Sequence, residues 1–272
     1  MLRTRITTAI LLGPIVVGGV LYLSAATTGI LLGVFLILAG WEWSGLVGWS
    51  RPIARISYVL LLAILAFYVW HWNETGYVFA SLNLLGIGWW SIAVVLVVAA
   101  QLQRLRRVTG LVSNGVCGLV VLLPAWSGIV WLLENDRMML LSLFALIWVA
   151  DGGAYFVGKQ WGQRRLASNV SPGKTWEGVA GGLGLGAITA VLISYATVLS
   201  DVARIAFVVI ALATICVSIV GDLFESMLKR RIGVKDSSQM LPGHGGVMDR
   251  IDGLVAASPI FVGGLHYWVN RL

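Results

Sequence analysis

The sequence predicts an all-α, polytopic integral membrane protein of about nine transmembrane helices. Three observations predict it: the composition, the spacing of the apolar runs and the placement of the basic residues. Of 272 residues, 58% are hydrophobic and 11% charged, whereas a soluble domain carries about 25% charged residues. Mean hydropathy is +0.90. A water-soluble globule is excluded. At roughly 20 apolar residues per span, the chain has room for about nine or ten spans and almost none for a separate soluble domain.

Apolar runs place spans near residues 6–23, 27–41, 53–70, 84–100, 114–133, 138–150, 178–199, 205–220 and 253–269. The first follows Arg3 and Arg5 and reads as an uncleaved anchoring helix, because its apolar stretch is long for a secretory leader. The second and sixth are short enough to be partial spans. Cys117 and Cys216 both lie inside apolar runs and read as packing residues, which argues against a disulfide framework or a zinc site.

Alternate links between spans lie on opposite sides of the membrane, and Lys and Arg favour the cytoplasmic side. With the N-terminus in the cytoplasm, the inside segments hold Arg3, Arg5, Arg51, Arg55, Arg104, Arg106, Arg107, Lys159, Arg164, Arg165, Lys174, Lys229, Arg230, Arg231, Lys235 and Arg250, which is 16 of the 19 basic residues. Arg137, Arg204 and Arg271 fall outside. The C-terminus is therefore expected outside, in a multi-pass protein of the cell inner (cytoplasmic) membrane. The formal charge of +7 then reflects topology and anionic lipid or phosphate partners, with no nucleic acid implied.

Twelve acidic residues are few, and seven of them, Asp151, Glu177, Asp222, Glu225, Asp236, Asp249 and Asp252, fall in or beside the last two inside loops, where the cations also concentrate. Asp222, Glu225, Ser226 and Lys229 stand at i, i+3, i+4 and i+7, on one face of a helix continuing from the eighth span. Two carboxylates and a hydroxyl there are ligand chemistry for a hard cation such as Mg²⁺. Pro242-Gly243 then breaks the chain before His244-Gly245-Gly246, whose adjacent glycines suit an anion nest. Asp249 and Asp252 stand one turn apart at the mouth of the ninth helix. Carboxylates, Mg²⁺ and surrounding cations describe phosphoryl or nucleotidyl transfer. A Ser-His-Asp reading finds no support, since His71 and His266 fall on the outer side.

Residues 151–178 form a second polar segment. Gly173-Lys174-Thr175 resembles the end of a P-loop, but Ser168 stands where a Walker A motif needs glycine. What survives is that Ser171, Lys174 and Thr175 offer donors to phosphate at a helix start. Small residues at 178, 182 and 186 read as a surface for close helix approach rather than as a dinucleotide fingerprint.

Residues 226–252, SMLKRRIGVKDSSQMLPGHGGVMDRID, resemble the signature of the phosphatidate cytidylyltransferase (CDP-diacylglycerol synthase) family, through Ser226, Lys229-Arg230, Lys235-Asp236, His244-Gly245-Gly246 and Asp249-Arg250-Ile251-Asp252. SPGKTWEG resembles a further family motif, as does DGGAYFVGK, with Gly152 where Ser or Thr is commoner. The likeness is specific from Asp151 to Asp252. It implies the reaction of CTP with phosphatidic acid to give CDP-diacylglycerol and pyrophosphate, with Mg²⁺ as cofactor, in a membrane enzyme for which a homodimer is left open. It also implies metal binding at Asp222 and Asp249. On this reading Asp222, Asp249, Lys229 and Arg250 act at the chemistry. Asp151, Ser171, Lys174, Thr175, Ser226, Arg230, Lys235, His244, Gly245 and Gly246 hold substrate. Residues 1–150 supply the N-terminal transmembrane helices and 151–272 the C-terminal catalytic region, within one continuous membrane domain.

Two alternatives from other classes are a membrane transporter and a lipid-binding scaffold. A transporter places its charges near the bilayer midplane and shows repeated halves, whereas here the charges crowd one side. A scaffold explains the cationic loops but not the four carboxylates among them.

Overall fold

A computed structural model of the chain describes residues 13–72, 76–103, 115–197, 199–240 and 245–269. Among these, helices α1 (Gly13–Tyr22), α2 (Ala25–Leu46), α3 (Pro52–Trp72), α4 (Tyr77–Gln101), α5 (Gly115–Asn135) and α6 (Arg137–Trp161) precede strands β1 (Arg165–Ala167) and β2 (Ser171–Thr175), and α7 (Trp176–Ala196), α8 (Asp201–Arg231) and α9 (Met248–Tyr267) follow. Each helix falls on one of the nine apolar runs. Seven of them, α2 to α8, are long and apolar enough to cross a membrane. His244, the Pro242-Gly243 break, Arg3, Arg5, Arg104, Arg106, Arg107 and Arg271 lie outside the described residues.

Two runs read as short enough for partial spans prove longer, with α2 at 22 residues and α6 at 25. In both, the helix continues through polar residues beyond the last uninterrupted apolar one. Helix α8 runs 31 residues, about 46 Å at 1.5 Å per residue against a hydrocarbon core of about 30 Å. Its last turns, from Asp222 on, therefore carry the charged residues past the apolar layer.

Helix α5 is the buried centre, packed by α2, α3, α4 and α9, while α6, α7, α8 and α9 pack in sequence against one another. Small residues set those contacts. A Cβ on Gly182 would come 2.8 Å from the carbonyl oxygen of Ala150, and one on Gly178 2.9 Å from that of Ala154, so the stripe at 178, 182 and 186 lets α7 lie against α6 and α8. Large apolar side chains such as Ile53, Leu60, Ile64 and Phe67 on α3 stay exposed, as expected of a surface solvated by lipid. Cys117 is buried, but Cys216, expected as a packing residue, is exposed on α8, because the helix turns that position away from its neighbours.

The all-α expectation meets one exception. Between α6 and α7 the chain forms an antiparallel hairpin, with Ala167 opposite Ser171 and Arg165 opposite Thr175. Glu177 accepts hydrogen bonds from the backbone N–H groups of Gln163 and Arg164 at 3.1 Å, fixing the entry strand. The hairpin tip docks on the end of α4. There the Asn169 N–H donates to Gln101 Oε1 at 3.0 Å, and the Asn169 amide donates to the Gln101 carbonyl at 2.7 Å. Ala167 and Val170 are buried in the same apolar core as Trp90, Leu223, Phe224, Leu228 and Met248. This core forms the floor of the polar cluster described next.

Candidate active site

The last three turns of α8 present the expected face. Lys229 Nζ lies 2.6 Å from Glu225 Oε2, one turn back, and Ser226 Oγ contacts Asp222 Oδ1 at a long 3.4 Å. Trp89 and Trp90 of α4 meet the ring of Phe224 edge-on, with centroids 6.0 and 5.7 Å away, and so fix the rotation of this segment. Gly221 sets the distance to α9, since a Cβ there would stand 2.5 Å from the Asp252 carbonyl oxygen. That close approach brings Asp249 to Lys229, with Nζ to Oδ1 at 2.5 Å. Lys229 thus lies between two buried carboxylates from two helices. Removing one member of such a buried group leaves an uncompensated charge, a change worth about 3–5 kcal/mol.

Asp249 is fully engaged. Its second oxygen accepts from the Ser237 N–H at 2.9 Å and the Gly246 N–H at 2.8 Å, with the Ser237 hydroxyl also 2.9 Å away. The N–H groups of Val247 and Met248 point instead at Glu42 of α2, at 2.9 and 2.6 Å. The backbone after His244 was expected to cradle phosphate, and in the structure the anions its N–H groups meet are the chain's own carboxylates. Gly245 has φ +81°, a left-handed conformation suited to glycine.

The hairpin brings the second polar segment to the same place. Lys174 on β2 reaches Asp222 on α8, with Nζ to Oδ2 at 2.5 Å and side-chain exposures of 26% and 39%. Asp151, on the neighbouring α6, lies within electrostatic range of Asp222, Lys174 and Arg250, and Asp252 within range of Asp222, Glu225 and Lys174. Thr175 is buried and caps α7, accepting from the Gly178 N–H at 3.1 Å. Ser171 is half-buried at the start of β2, while Arg230, Lys235 and Arg250 are exposed around the cluster.

Two separate charged groups therefore organise the site: Lys229 with Glu225 and Asp249, buried, and Lys174–Asp222, more open. Asp151, Lys174, Asp222, Ser226, Lys229 and Asp249 are brought together. Glu42 and Gln101 were missed by sequence reasoning. The available signal for Glu42 was a carboxylate inside an otherwise apolar helix, which is expensive unless it has a purpose.

A bundle of membrane-length helices that gathers lysines and carboxylates at one end, over a closed apolar floor, defines a membrane-embedded enzyme handling phosphate-bearing substrates. The chain belongs to the cytidylyltransferase family, whose sequence model matches residues 3–268. It is 41% identical to a phosphatidate cytidylyltransferase of Pseudomonas aeruginosa, over 96% of both chains. It is 36% identical to one of Haemophilus influenzae, over 96% of this chain and 97% of the relative. Identity to one of Thermotoga maritima is 34%, over 95% and 94%.

Proposed function

We propose that the chain transfers the cytidylyl group of CTP to phosphatidic acid, giving CDP-diacylglycerol and pyrophosphate, at the cytoplasmic boundary of the inner membrane. The observation that carries this reading is the Lys174–Asp222 contact, which joins two polar segments from opposite ends of α7 and α8 into one charged surface. A phosphate oxygen of phosphatidic acid attacks the α-phosphorus of CTP in line, and the bond to the pyrophosphate oxygen breaks. The nucleophile is already an anion at neutral pH, so the protein has to position two polyanions and neutralise their charge. Lys174, partly exposed, exchanges Asp222 for a phosphate oxygen when substrate enters, and Arg250 and Arg230 at the rim supply further charge-assisted hydrogen bonds. Lys229 stays with its carboxylates and holds the surface in shape.

Mg²⁺ belongs to the same proposal. Among the described residues, no three His, Cys, Asp or Glu side chains are gathered as a preformed cage. Mg²⁺ is commonly held by one or two carboxylates together with substrate phosphates, and Asp222, half open beside Asp252 and Asp151, fits that mode, whereas Asp249 would have to exchange Lys229 for the ion to join it. When bound, the ion supplies neutralisation of the triphosphate. Purified protein in lipid vesicles, given labelled CTP, Mg²⁺ and phosphatidic acid, is expected to yield a lipid-extractable cytidine product. Folded protein that forms none under these conditions overturns the reading.

A further inference from the structure

We infer that Glu42 of α2 is a positioning residue for the reaction, holding the start of α9 so that Asp249 faces Lys229; this rests on the functional reading above. Glu42 is 1% exposed in a helix whose other buried residues are apolar or small. A carboxylate so placed is retained only where its oxygens are satisfied, and here both are. Oε1 accepts from the Ser238 hydroxyl at 2.5 Å and the Val247 N–H at 2.9 Å, while Oε2 accepts from the Met248 N–H at 2.6 Å and the Ser237 hydroxyl at 3.0 Å. Two of these donors are the N-cap residue of α9, Val247, and its first residue, Met248, whose N–H groups have no intrahelical acceptor. Glu42 is thus an N-terminal cap supplied from the opposite half of the chain.

The link to Asp249 is direct. The Ser237 N–H donates to Asp249 Oδ2 at 2.9 Å, and its hydroxyl, with one proton to share, stands 3.0 Å from Glu42 and 2.9 Å from Asp249. With the N–H on Asp249 and the hydroxyl proton on Glu42, this one residue ties the two carboxylates together. Gly246 completes the arrangement, because a Cβ there would lie 2.5 Å from both oxygens of Glu42. Glu42 shares the buried part of α2 with Ala39, Trp43 and Leu46, so the loop is referenced to a packed helix. Loss of the anchor leaves Lys229, Glu225 and Asp222 on α8 in place but frees Asp249 to turn away from them.

The test compares wild type, Glu42→Gln and Ser237→Ala as full-length protein in lipid vesicles. Turnover with CTP and phosphatidic acid is read together with the hydrogen exchange of the Val247 and Met248 amides. Glu42→Gln replaces one acceptor oxygen by an NH₂ group that faces donors. It is expected to lower kcat at least ~10-fold, with KM for CTP changed less than about threefold, and to speed exchange at those two amides while α5 and α8 stay protected. Ser237→Ala, which removes only the shared hydroxyl, is expected to lower kcat in the same direction, and the double variant to fall short of the product of the singles. A merely structural role predicts a different result, in which activity falls only in proportion to the folded fraction and kcat per folded molecule is unchanged; that overturns the inference, as does unchanged exchange at Val247 and Met248. Should Glu42→Gln fail to fold, Ser237→Ala decides by the same two readouts. The exchange readout needs no substrate, so an inactive wild type would count against the proposed reaction and leave the anchor separately measurable.

Discussion

The ammonium of Lys174 lies 2.5 Å from the carboxylate of Asp222, although the whole of α7 separates them in the chain. The contact exists because Gln101 pins the hairpin tip and Glu177 pins its entry, so that β2 is held over the end of α8. Both partners are partly exposed, so their mutual attraction is worth about 1 kcal/mol or less, and either can be released to a ligand. Lys174→Ala is accordingly expected to leave thermal stability nearly unchanged while lowering kcat/KM for CTP by roughly 10- to 100-fold, the scale of a charged hydrogen bond at about 1.5–3 kcal/mol. Steady-state kinetics beside a melting curve checks this. Full activity in Lys174→Ala would reduce the residue to a topology signal.

Asp222→Asn and Asp249→Asn should each reduce turnover by at least ~10²-fold, but for different reasons. A carboxamide at 222 removes charge from an open position and should scarcely affect folding. At 249 it turns a donor toward Lys229 or toward the N–H groups of Ser237 and Gly246, so stability should fall as well, on the scale of about 3–5 kcal/mol for breaking a buried pair. Asp201→Asn, at the far end of α8 in an exposed pair with Arg204 at 2.6 Å, is expected to be near neutral in both assays. Parallel measurement of turnover and chemical denaturation separates the three.

The basic residues predict the side on which this cluster lies. Ser168 at the hairpin tip and Asp201 at the start of α8 are exposed at opposite ends of the bundle. In protein carrying Cys117→Ala and Cys216→Ala, a membrane-impermeant thiol reagent added outside intact cells is expected to label Asp201→Cys and to spare Ser168→Cys. Reversed labelling would invert the topology, and labelling of both would show that the hairpin is not sheltered by the membrane.

Much of this was legible because lipid imposes simple demands on a sequence. Each apolar run became a helix, since a spanning segment must satisfy its own backbone, and the i, i+3, i+4, i+7 set from Asp222 to Lys229 lay on one face as spacing required. The hairpin was not legible. Its strands are three and five residues long, and SPGKT carries Pro and Gly, which signal a loop rather than a strand. Glu42 was missed because its partners lie on a distant segment, and no local pattern links α2 to the start of α9. The Lys229–Asp249 and Lys174–Asp222 pairs were likewise beyond reach, since the first depends on the Gly221 crossing and the second on how the hairpin docks.

Gly246 and Gly173 offer a contrast that sequence alone cannot draw, because both look like loop glycines beside functional residues. Nothing lies within 4 Å of a Cβ built on Gly173, whereas at Gly246 it would stand 2.5 Å from Glu42 Oε1 and Oε2 and would overlap the Ser237 hydroxyl. These neighbours are not the free ends of flexible chains; the carboxylate is held by Ser238 and the Val247 and Met248 N–H groups, and Ser237 by its own N–H on Asp249. Gly246→Ala must therefore break the Glu42 anchor, the Asp249 hydrogen bonds or both. It is expected to lower turnover at least ~10²-fold and to destabilise by about 1–3 kcal/mol, the scale of overpacking. Gly173→Ala should insert normally, keep its melting temperature and retain most of the activity. Measuring turnover and thermal unfolding of the two variants side by side checks the expectation, and wild-type behaviour in Gly246→Ala would show that Glu42 and Ser237 do not need the positions described for them.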